Sequence, residues 1–431
     1  MRCPIAVLAT GLLLLAVSAG KASETTHPFT VHDLLAMDRI ASPAVSPDAK
    51  AVVFAVRVTD LEANKGRNDL WIAATDGKNV RRLTTHPSGD SDPCWHPAGR
   101  TVYFLSGRSG SQQVWKIETD GGEAVQVTDL ALDVNAFRLS PDGRSLLLAM
   151  DVFPGFSVAD TKKRLDAETE KKATGRLYES LFVRHWDTWS DGRRTHLFVI
   201  PSDGKGTPVD IMASMNADSP SKPFGGIEET AFTPDSRSVV FSARDAGREE
   251  AWSTNFDLFL APADGSRAPV LLTVSNKAWD TSPLFSPDGK TLAYLAMSRP
   301  GYEADRFRVV LKSWPDGPER VLTESWDRSP SAIFWSADGK TIYAVAENIG
   351  QRALFSVNVK TGTVSTVVSN GYVRSPQMCG KRILFGLDHL KSPVELYTCR
   401  PDGGDVRKVT NINASKVAAV RFGEPEQFSF A

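Results

Sequence analysis

The feature that most constrains the fold is a short motif that recurs along the whole chain. Each copy combines an apolar stretch with a tight turn rich in Ser, Pro, Asp and Gly. The copies are SPAVSPDAK (42–50), DPCWHPAGR (92–100), AFRLSPDGR (136–144), TAFTPDSR (230–237), SPLFSPDGK (282–290), SAIFWSADGK (331–340) and a degraded SPQMCGKR (375–382). The spacings between aligned residues of successive copies are 50, 44, 93, 53, 50 and 43, so five of the six intervals average 48; the aligned residues are Ser46, His96, Ser140, Thr233, Ser286, Ser336 and Cys379.

Each repeat has the pattern of four short strands. Pro, Asp and Gly make the reversal after the first strand, because Pro presets φ, Asp bonds its own backbone and Gly adopts positive φ. A second strand follows, as in TLAYLAM (291–297), then a third, as in DLFLAPADG (257–265), and a fourth, as in VLLT (270–273). Four strands per 40 to 50 residues are typical of a β-propeller blade. The sequence predicts an all-β, seven-bladed β-propeller of four-stranded antiparallel blades over residues 23–420.

An array of independent small domains is the rival interpretation. A unit of about 48 residues without disulfides buries too little surface to be stable alone, whereas blades stacked radially cover both faces of each sheet. Cys379 and Cys399 fall at the ends of the first and third strands of one blade, about 9.6 Å apart. That separation is beyond the reach of a disulfide, so both are predicted to be free thiols.

The interval of 93 residues indicates an insertion in the third blade, at about 151–194. Its first part, ADTKKRLDAETEKKATGRLYESLF (159–182), is rich in helix formers and mixed charge. The insertion is therefore expected to be partly helical. Trp279-Asp280 and Trp326-Asp327 recur before later blades and are interpreted as architectural residues at equivalent blade entries.

The N-terminus predicts export. Arg2 precedes the apolar run from Ile5 to Ala19, and small residues follow it. The run is short for a membrane span, so residues 1–22 are interpreted as a secretory signal peptide, with an uncleaved anchor as the alternative. The mature chain is then expected to be secreted or periplasmic and free of the membrane.

Charge and motifs exclude several kinds of partner. The 50 basic and 51 acidic residues leave a formal charge of −1, so no overall field favours nucleic acid. No glycine-rich phosphate loop follows a strand, and no cofactor is predicted. His86 to Pro97 contains His, Asp and Cys, but these residues fall on strand and turn positions of the repeat, so no metal site is predicted.

The repeats resemble two groups of propellers. One is the N-terminal propeller of the prolyl oligopeptidase family of serine peptidases, in its dipeptidyl-peptidase and acylaminoacyl-peptidase branches; the other is the TolB-like propeller. Two further stretches resemble the peptidases: YESLFVRHWDTWSDGRRTHLF (178–198) is similar to the segment inserted into one blade, and RFGEPEQFSFA (421–431) to the linker into the α/β-hydrolase domain. The resemblance implies peptide substrates and an α/β-hydrolase domain as partner.

The residues that would catalyse hydrolysis are missing from this sequence. Family peptidases use a G-x-S-x-G elbow followed by Asp and His, and no G-x-S-x-G occurs here. No catalytic residue is therefore assigned. The expected role is that of a substrate-gating propeller domain, and the alternative is a TolB-like periplasmic scaffold for protein partners.

The resemblance also implies a binding site in the insertion, where acidic side chains would hold the free N-terminus of a peptide. Charge-assisted hydrogen bonds suit a carboxylate to an ammonium. The candidates are Glu179 and Asp187 for the ammonium, Arg184 for a carbonyl, Trp186 for the pocket wall and His185 for orienting a carboxylate. In the alternative interpretation, Arg184 pairs with Asp187 and the tryptophans only anchor the insertion to its blade.

Overall fold

Antiparallel sheets make up most of the regular structure in the computed structural model, which describes residues 26–430. The predicted signal peptide, residues 1–22, lies outside the described residues. Five sheets have four strands each. In chain order their strands are Arg39–Val45, Ala51–Asp60, Lys65–Ala74 and Arg81–Arg82; Asp90–Trp95, Thr101–Ser106, Gln113–Glu118 and Val125–Gln126; Ala136–Leu139, Ser145–Val152, Arg194–Pro201 and Val209–Asp210; Thr230–Phe232, Ser238–Ala243, Asp257–Pro262 and Val270–Leu271; and Asp280–Phe285, Thr291–Ala296, Arg308–Ser313 and Glu319–Val321.

The sixth sheet has eight strands in two halves. The first half consists of Pro330–Trp335, Thr341–Asn348, Gln351–Asn358 and Val364–Val368, and the second of Tyr372–Cys379, Arg382–His389, Ser392–Cys399 and Arg407–Lys408. A single parallel bridge between Arg352 and Tyr372 joins the halves. Each half has the same antiparallel order as the five separate sheets. The all-β, four-stranded antiparallel architecture predicted from the repeat is confirmed.

The recurring turn is held by its own side chains. In five copies the Ser or Thr hydroxyl donates to the Asp carboxylate two residues later at 2.6–2.7 Å. The same hydroxyl accepts the backbone N–H five residues later at 2.9–3.0 Å. These bonds satisfy donors that the reversal leaves unpaired. In the second sheet His96 replaces the hydroxyl, and its Nδ1 accepts from the Ala98 N–H.

In five of the four-stranded units a threonine that follows the Leu or Val after the start of the fourth strand has a second structural role. Its hydroxyl is buried and accepts the N–H of the third strand of the same sheet at 2.8–3.0 Å. The threonines are Thr84, Thr128, Thr273, Thr323 and Thr410. They join the short fourth strand to the third where the ladder itself has only a few hydrogen bonds.

The apolar core lies between the sheets rather than inside any one of them. Most clusters of buried side chains join one four-stranded unit to the next, as where Val53 packs with Phe104. A small cluster of Ala346, Ala353 and Phe355 lies within one unit. The last unit packs on the first through Phe54, Leu384 and Leu396. Polar contacts cross the same junction, because the Gln377 amide donates to Pro43 O at 2.6 Å and accepts from the Val45 N–H at 2.9 Å.

The chain enters and leaves on one rim of the sheets. His27–Pro28 pairs in parallel with Val420–Arg421, and the Phe29 and Phe422 rings stack at 5.2 Å. The connections between second and third strands lie on this rim, because antiparallel order puts the Ser-Pro-Asp-Gly turns at the other end. The segment after Phe422 runs over two of these connections, with Gln427 bonded to Ile349 O and Lys391 to Glu424.

Short helices lie outside the sheets: α-helices Val31–Ala36, Val158–Thr169 and Ala414–Ala418, and 3-10 helices Ile227–Glu229 and Gly247–Glu249. Val158–Thr169 lies within the segment 151–194 and is capped by Ser157. Val158 and Leu165 pack on the core between the second and third sheets. The helix stops at Thr169 because the next turns offer no apolar residue to the sheet, and a solvated helix this short gains little without burial.

The two Trp-Asp pairs do not occupy equivalent positions, contrary to the prediction. Trp279 lies seven residues before the turn residue Ser286, whereas Trp326 lies ten before Ser336. Asp280 begins its strand and is fully buried, while the Asp327 side chain is 79% exposed and pairs with Arg328. Both tryptophans do pack in aromatic clusters, Trp279 against the Phe256 ring at 4.5 Å and Trp326 against Phe355 at 5.0 Å.

Within residues 26–430, Cys94, Cys379 and Cys399 are free thiols, which confirms the prediction for the latter two. Burial raises the pKa of the Cys399 thiol to about 11. No helix among the described residues is both long enough and apolar enough to span a bilayer.

Candidate functional site

A cavity of about 560 Å³ opens where the insertion meets the third and fourth sheets, on the rim where the chain enters and leaves. One wall is the insertion and the other is the edge of the two sheets. The insertion contributes residues 180–182, 184, 185 and 188–193, and the sheet side contributes Asp151, Arg194, Asn216, Asp218, Lys222, Pro223, Arg244, Glu250 and Phe256.

Arg194 is the central charge of the sheet-side wall. It begins the third strand of the third sheet and donates two hydrogen bonds to the Glu250 carboxylate, which comes from the fourth sheet's second connection. A further bond goes from its Nη1 to Asp218 Oδ2 at 2.9 Å, and its Nε donates to Asn216. Burial opposes the charge on Arg194, but the hydrogen bonds and negative charges of Glu250 and Asp218 outweigh it and raise the pKa of Arg194.

Asp151 and Asp218 form a second charged group beside it. Thr195 holds both carboxylates, since its hydroxyl donates to Asp151 Oδ1 at 2.6 Å and its N–H donates to Asp218 Oδ1 at 2.7 Å. The Lys222 ammonium lies between them, 3.1 Å from Asp151 Oδ1 and 3.2 Å from Asp218 Oδ1. The two carboxylates come from segments far apart in sequence and share one cation.

Arg244 has aromatic neighbours. Its guanidinium carbon is 4.8 Å from the Phe256 ring centroid and 5.6 Å from that of Phe182. One nitrogen donates to Ser253 O at 2.8 Å, and Glu250 is 3.8 Å away. Burial lowers the pKa of Arg244. The guanidinium is therefore held mainly by rings, in a geometry that favours cation–π attraction.

The insertion wall is a two-stranded hairpin, Arg184–His185 and Thr188–Trp189. Trp189 contacts Tyr178 at 6.0 Å between ring centroids, and the Arg184 guanidinium lies 5.7 Å from the Trp189 ring. The Trp186 ring packs on Phe224 at 5.1 Å. The insertion wall therefore presents aromatic surface, the cationic Arg184 and an Arg193–Asp191 ion pair to the cavity.

Of the five residues predicted for the site, two line the cavity and three do not. Arg184 and His185 line the cavity. Glu179, Trp186 and Asp187 are exposed and are not among the lining residues. Arg184 donates to the Trp186 carbonyl rather than pairing with Asp187, so the ion pair of the alternative interpretation is not formed within the described chain. Ammonium anchoring by Glu179 and Asp187 stays a prediction.

Few sequence signals point to the sheet-side residues of the cavity. Arg194 ends a Ser-Asp-Gly-Arg-Arg stretch whose first residues favour a turn, and Asp218 and Lys222 lie in a stretch without a motif. Glu250 lies in a connection between second and third strands longer than those of the later repeats. The length of this connection is the sequence feature that could have indicated a functional residue there. Over residues 26–430 no group of three or more His, Cys, Asp or Glu side chains is arranged to hold a metal ion.

Sequence comparison links the chain to propellers and peptidases. The family model described as the TolB β-propeller domain matches residues 35–180. Dipeptidyl-peptidase 5 of Porphyromonas gingivalis is 30% identical over 406 residues, which cover 92% of this chain and 58% of the relative. Dipeptidyl-peptidase 5 of Porphyromonas endodontalis is 28% identical, covering 89% of this chain and 55% of the relative. The chain thus spans little more than half the length of these curated relatives.

Structure comparison supports the same fold. Acylaminoacyl peptidase of Pyrococcus horikoshii matches 89% of this chain and 54% of its own, with a TM-score of 0.65 at 15% identity. The β-propeller domain of the Trilobed protease from Pyrococcus furiosus matches 87% of this chain and 96% of its own, with a TM-score of 0.56 at 10% identity. Taken with the sequence relatives and the four-stranded sheets, these matches identify the chain as a β-propeller of the prolyl oligopeptidase family.

Proposed function

We propose that this chain is the substrate-gating propeller of an exported serine peptidase of dipeptidyl- or acylaminoacyl-peptidase type, working with an α/β-hydrolase domain. One observation carries the proposal: the cavity opens on the rim where the chain enters and leaves, beside the insertion. A domain continuing from either terminus would face the cavity. Peptides held there would then be presented to that domain.

The proposed architecture is a closed ring of seven blades with the insertion in the third. Its support is that every four-stranded unit shares a buried apolar cluster with the next, and the last shares one with the first. Glycines that follow third strands approach the preceding unit, including Gly77 at the junction of first and last, where a Cβ would lie 3.4 Å from Lys408 O and Val409 O.

The lining of the cavity suits a short peptide. Guanidinium groups can donate to peptide carbonyls, and the rings of Phe182, Trp189 and Phe256 can cover apolar side chains. Arg184 and His185 face this space. Glu179, Trp186 and Asp187 would contact a ligand only after the insertion shifts.

Export to the periplasm or the medium is part of the proposal and rests on the apolar run from Ile5 to Ala19.

Calorimetric titration of the purified chain with amidated peptides of two to four residues tests the proposal. We expect saturable binding that Arg184→Ala weakens at least threefold, because Arg184 lines the cavity. Arg299→Ala is the matched control, since Arg299 is exposed, packs on Tyr302 at 4.1 Å and is not among the lining residues. Absence of binding for every peptide would refute peptide handling.

The TolB-like scaffold is the second candidate, and the family-model match over residues 35–180 favours it. A scaffold would retain folded protein partners and bind no short peptide. The same titration therefore separates the two functions.

A further inference from the structure

The connection between the two halves of the eight-stranded sheet contains an Asn-Gly pair, Asn370–Gly371. It leads directly into Tyr372–Cys379, the first strand of the second half. Asn370 alone among the asparagines of the sequence is followed by glycine, and it is exposed. An asparagine there can react with its own backbone, since the next nitrogen reaches the side-chain carbonyl carbon through a five-membered ring and glycine places no Cβ in the way.

The fold requires a glycine at position 371. Its φ is +86, which L residues rarely adopt, and an added Cβ would lie 2.8 Å from both the Asp388 carbonyl oxygen and Leu387 Cδ1. Any side chain there would therefore clash with the neighbouring strand, Arg382–His389. The packing that excludes a side chain at Gly371 also leaves its nitrogen sterically free to attack Asn370.

Gly371 takes part in the junction between the halves. Its N–H donates to the Gln351 side-chain oxygen at 2.6 Å, and its carbonyl accepts the Arg352 N–H at 3.0 Å. The parallel bridge between Arg352 and Tyr372 lies next to these bonds. A nitrogen whose hydrogen is bound to an acceptor keeps its proton, so the bond to Gln351 holds Gly371 in an unreactive state.

We propose that Asn370 is a site of spontaneous deamidation and that the Gln351 side chain controls its rate. When the Gly371 N–H leaves Gln351 and gives its proton to hydroxide, the Gly371 nitrogen attacks Asn370 Cγ. A new C–N bond forms and the bond from Cγ to the side-chain nitrogen breaks. The leaving nitrogen takes a proton from water and departs as ammonia, which regenerates hydroxide and leaves a succinimide ring. Water then opens the ring at either carbonyl and gives aspartate or isoaspartate.

The two products differ in their effect on the junction. Aspartate leaves the main chain unchanged and adds one negative charge. Isoaspartate carries the main chain through the former side chain, which inserts one methylene between the Asn370 Cα and the Gly371 nitrogen. The neighbouring strand leaves Gly371 no room to shift towards it, so the inserted atom should displace Gly371 from Gln351 and Arg352. Conversion therefore weakens the junction between the halves, increasingly with the age of the molecule.

The test follows conversion in the purified chain during incubation at mildly alkaline pH, by mass spectrometry of the peptide that contains Asn370. We expect the mass of this peptide to rise by the change from amide to acid. Asn64 is the internal control, because it is exposed but is followed by Lys65, and it should stay intact. The reaction should be faster at higher pH, since the attacking nitrogen must lose its proton.

Variants at Gln351 test its control over the rate. Gln351→Met removes the acceptor and should speed conversion about fivefold, because a hydrogen bond of typical strength is lost. Gln351→Glu retains an oxygen acceptor at the same place and should convert no faster than the wild-type chain. Equal rates for Gln351→Met and the wild-type chain would show that Gln351 does not control the reaction. Conversion in the urea-unfolded chain, but in neither the folded chain nor Gln351→Met, would overturn the proposed site.

Asn370→Asp separates the new charge from the lengthened backbone. This variant carries the charge from the start and should unfold at nearly the wild-type temperature. The converted fraction of an aged wild-type chain, separated by anion exchange, contains isoaspartate and should unfold at a lower temperature. Asn370→Ser cannot react and should keep its unfolding temperature on ageing. If the converted fraction and Asn370→Asp unfold alike, conversion does not weaken the junction. None of these outcomes bears on peptide binding, so the proposed function is tested separately.

Discussion

Gly204 lies against the backbone of the neighbouring sheet: a Cβ added to Gly204 would be 1.7 Å from the Val127 carbonyl oxygen. Gly204 follows the third strand of the third sheet, and Val127 follows the fourth strand of the second. Gly362 and Gly403 make the same kind of approach to Leu322 O and Val367 O, at 2.5 and 2.1 Å. The turn that contains each of these three glycines is thus a contact between units as well as a reversal of the chain.

Gly204→Ala should destabilise the chain by about 3 kcal/mol or more, because it adds overlap with a carbonyl to the strain of a residue at φ +76. Gly206→Ala is the control two residues away: φ there is +99, but nothing lies within 4 Å of the added Cβ, so only the strain of about 1–2 kcal/mol applies. Urea unfolding measures both. Equal losses would contradict a role for the inter-sheet contact.

Arg194→Met should be strongly destabilising, by about 3–5 kcal/mol, because it leaves Glu250 and Asp218 without their main cation in a partly buried place. Lys222→Met should cost at most about 1 kcal/mol, since that pair is exposed on the lysine side. Thermal unfolding of the two variants compares a cation with two buried carboxylate partners with a more exposed one. Similar losses would show that Lys222 is structural.

Asp280 should make stability fall as the pH rises. Burial raises the pKa of its carboxyl from 3.8 to about 7, although a hydrogen bond from Asn276 acts in the opposite direction. The stabilisation is complete below the ordinary pKa and is lost as the pH rises from about 4 to 7, by roughly 4 kcal/mol. Asp280→Asn removes the charge and should flatten this dependence between pH 5 and 8.

Asp288 is the control, because its pKa is shifted in the opposite direction to that of Asp280. The Ser286 hydroxyl, followed by the Lys290 N–H, lowers the pKa of this exposed turn carboxyl, so its contribution is lost on acidification rather than at neutral pH. Asp288→Asn should leave the fall in melting temperature between pH 5 and 8 intact. If Asp280→Asn retains that fall as well, another group is responsible for it.

Ser286→Ala should cost about 1–2 kcal/mol. The substitution removes the hydroxyl that donates to Asp288 and accepts from the Thr291 N–H, at 2.6 and 3.0 Å, and hydrogen bonds of this kind contribute about 1 kcal/mol each. Ser286→Thr should retain most of the stability, as Thr233 fills the same place in the fourth sheet. The measurement is the urea concentration at the midpoint of unfolding, compared among variants whose free energy of unfolding depends on urea with the same slope.

The chain by itself should not hydrolyse peptides. No G-x-S-x-G elbow occurs in its sequence, so a fluorophosphonate probe should label none of its serines and dipeptidyl chromogenic substrates should stay intact. A family peptidase with its hydrolase domain serves as the positive control. Stoichiometric labelling of one serine would refute the prediction.

Local chemistry made the repeat readable in the sequence. The hydroxyl and carboxylate of Ser46 and Asp48 bond to backbone groups within five residues, so the turn depends on neighbours along the chain and its motif identifies it. Four strands per repeat follow from the turns that separate them. The free thiols at Cys379 and Cys399 could be predicted for the same reason, from strand order alone.

Only the tertiary structure shows where the cavity lies and which charged side chains line it. Asp151, Asp218 and Glu250 come from three segments and meet only because adjacent sheets pack side by side, so no local motif marks them. The insertion motif pointed to the right region, but the hairpin geometry placed Arg184 and His185 at the cavity and left Glu179 and Asp187 outside it. Asp280 and Asp327 both follow Trp, yet only Asp280 is buried, because burial depends on the distance to the next turn and on the neighbouring sheet. Sequence determines what bonds within a few residues, whereas long-range packing determines which charges share a space and which of them lose water.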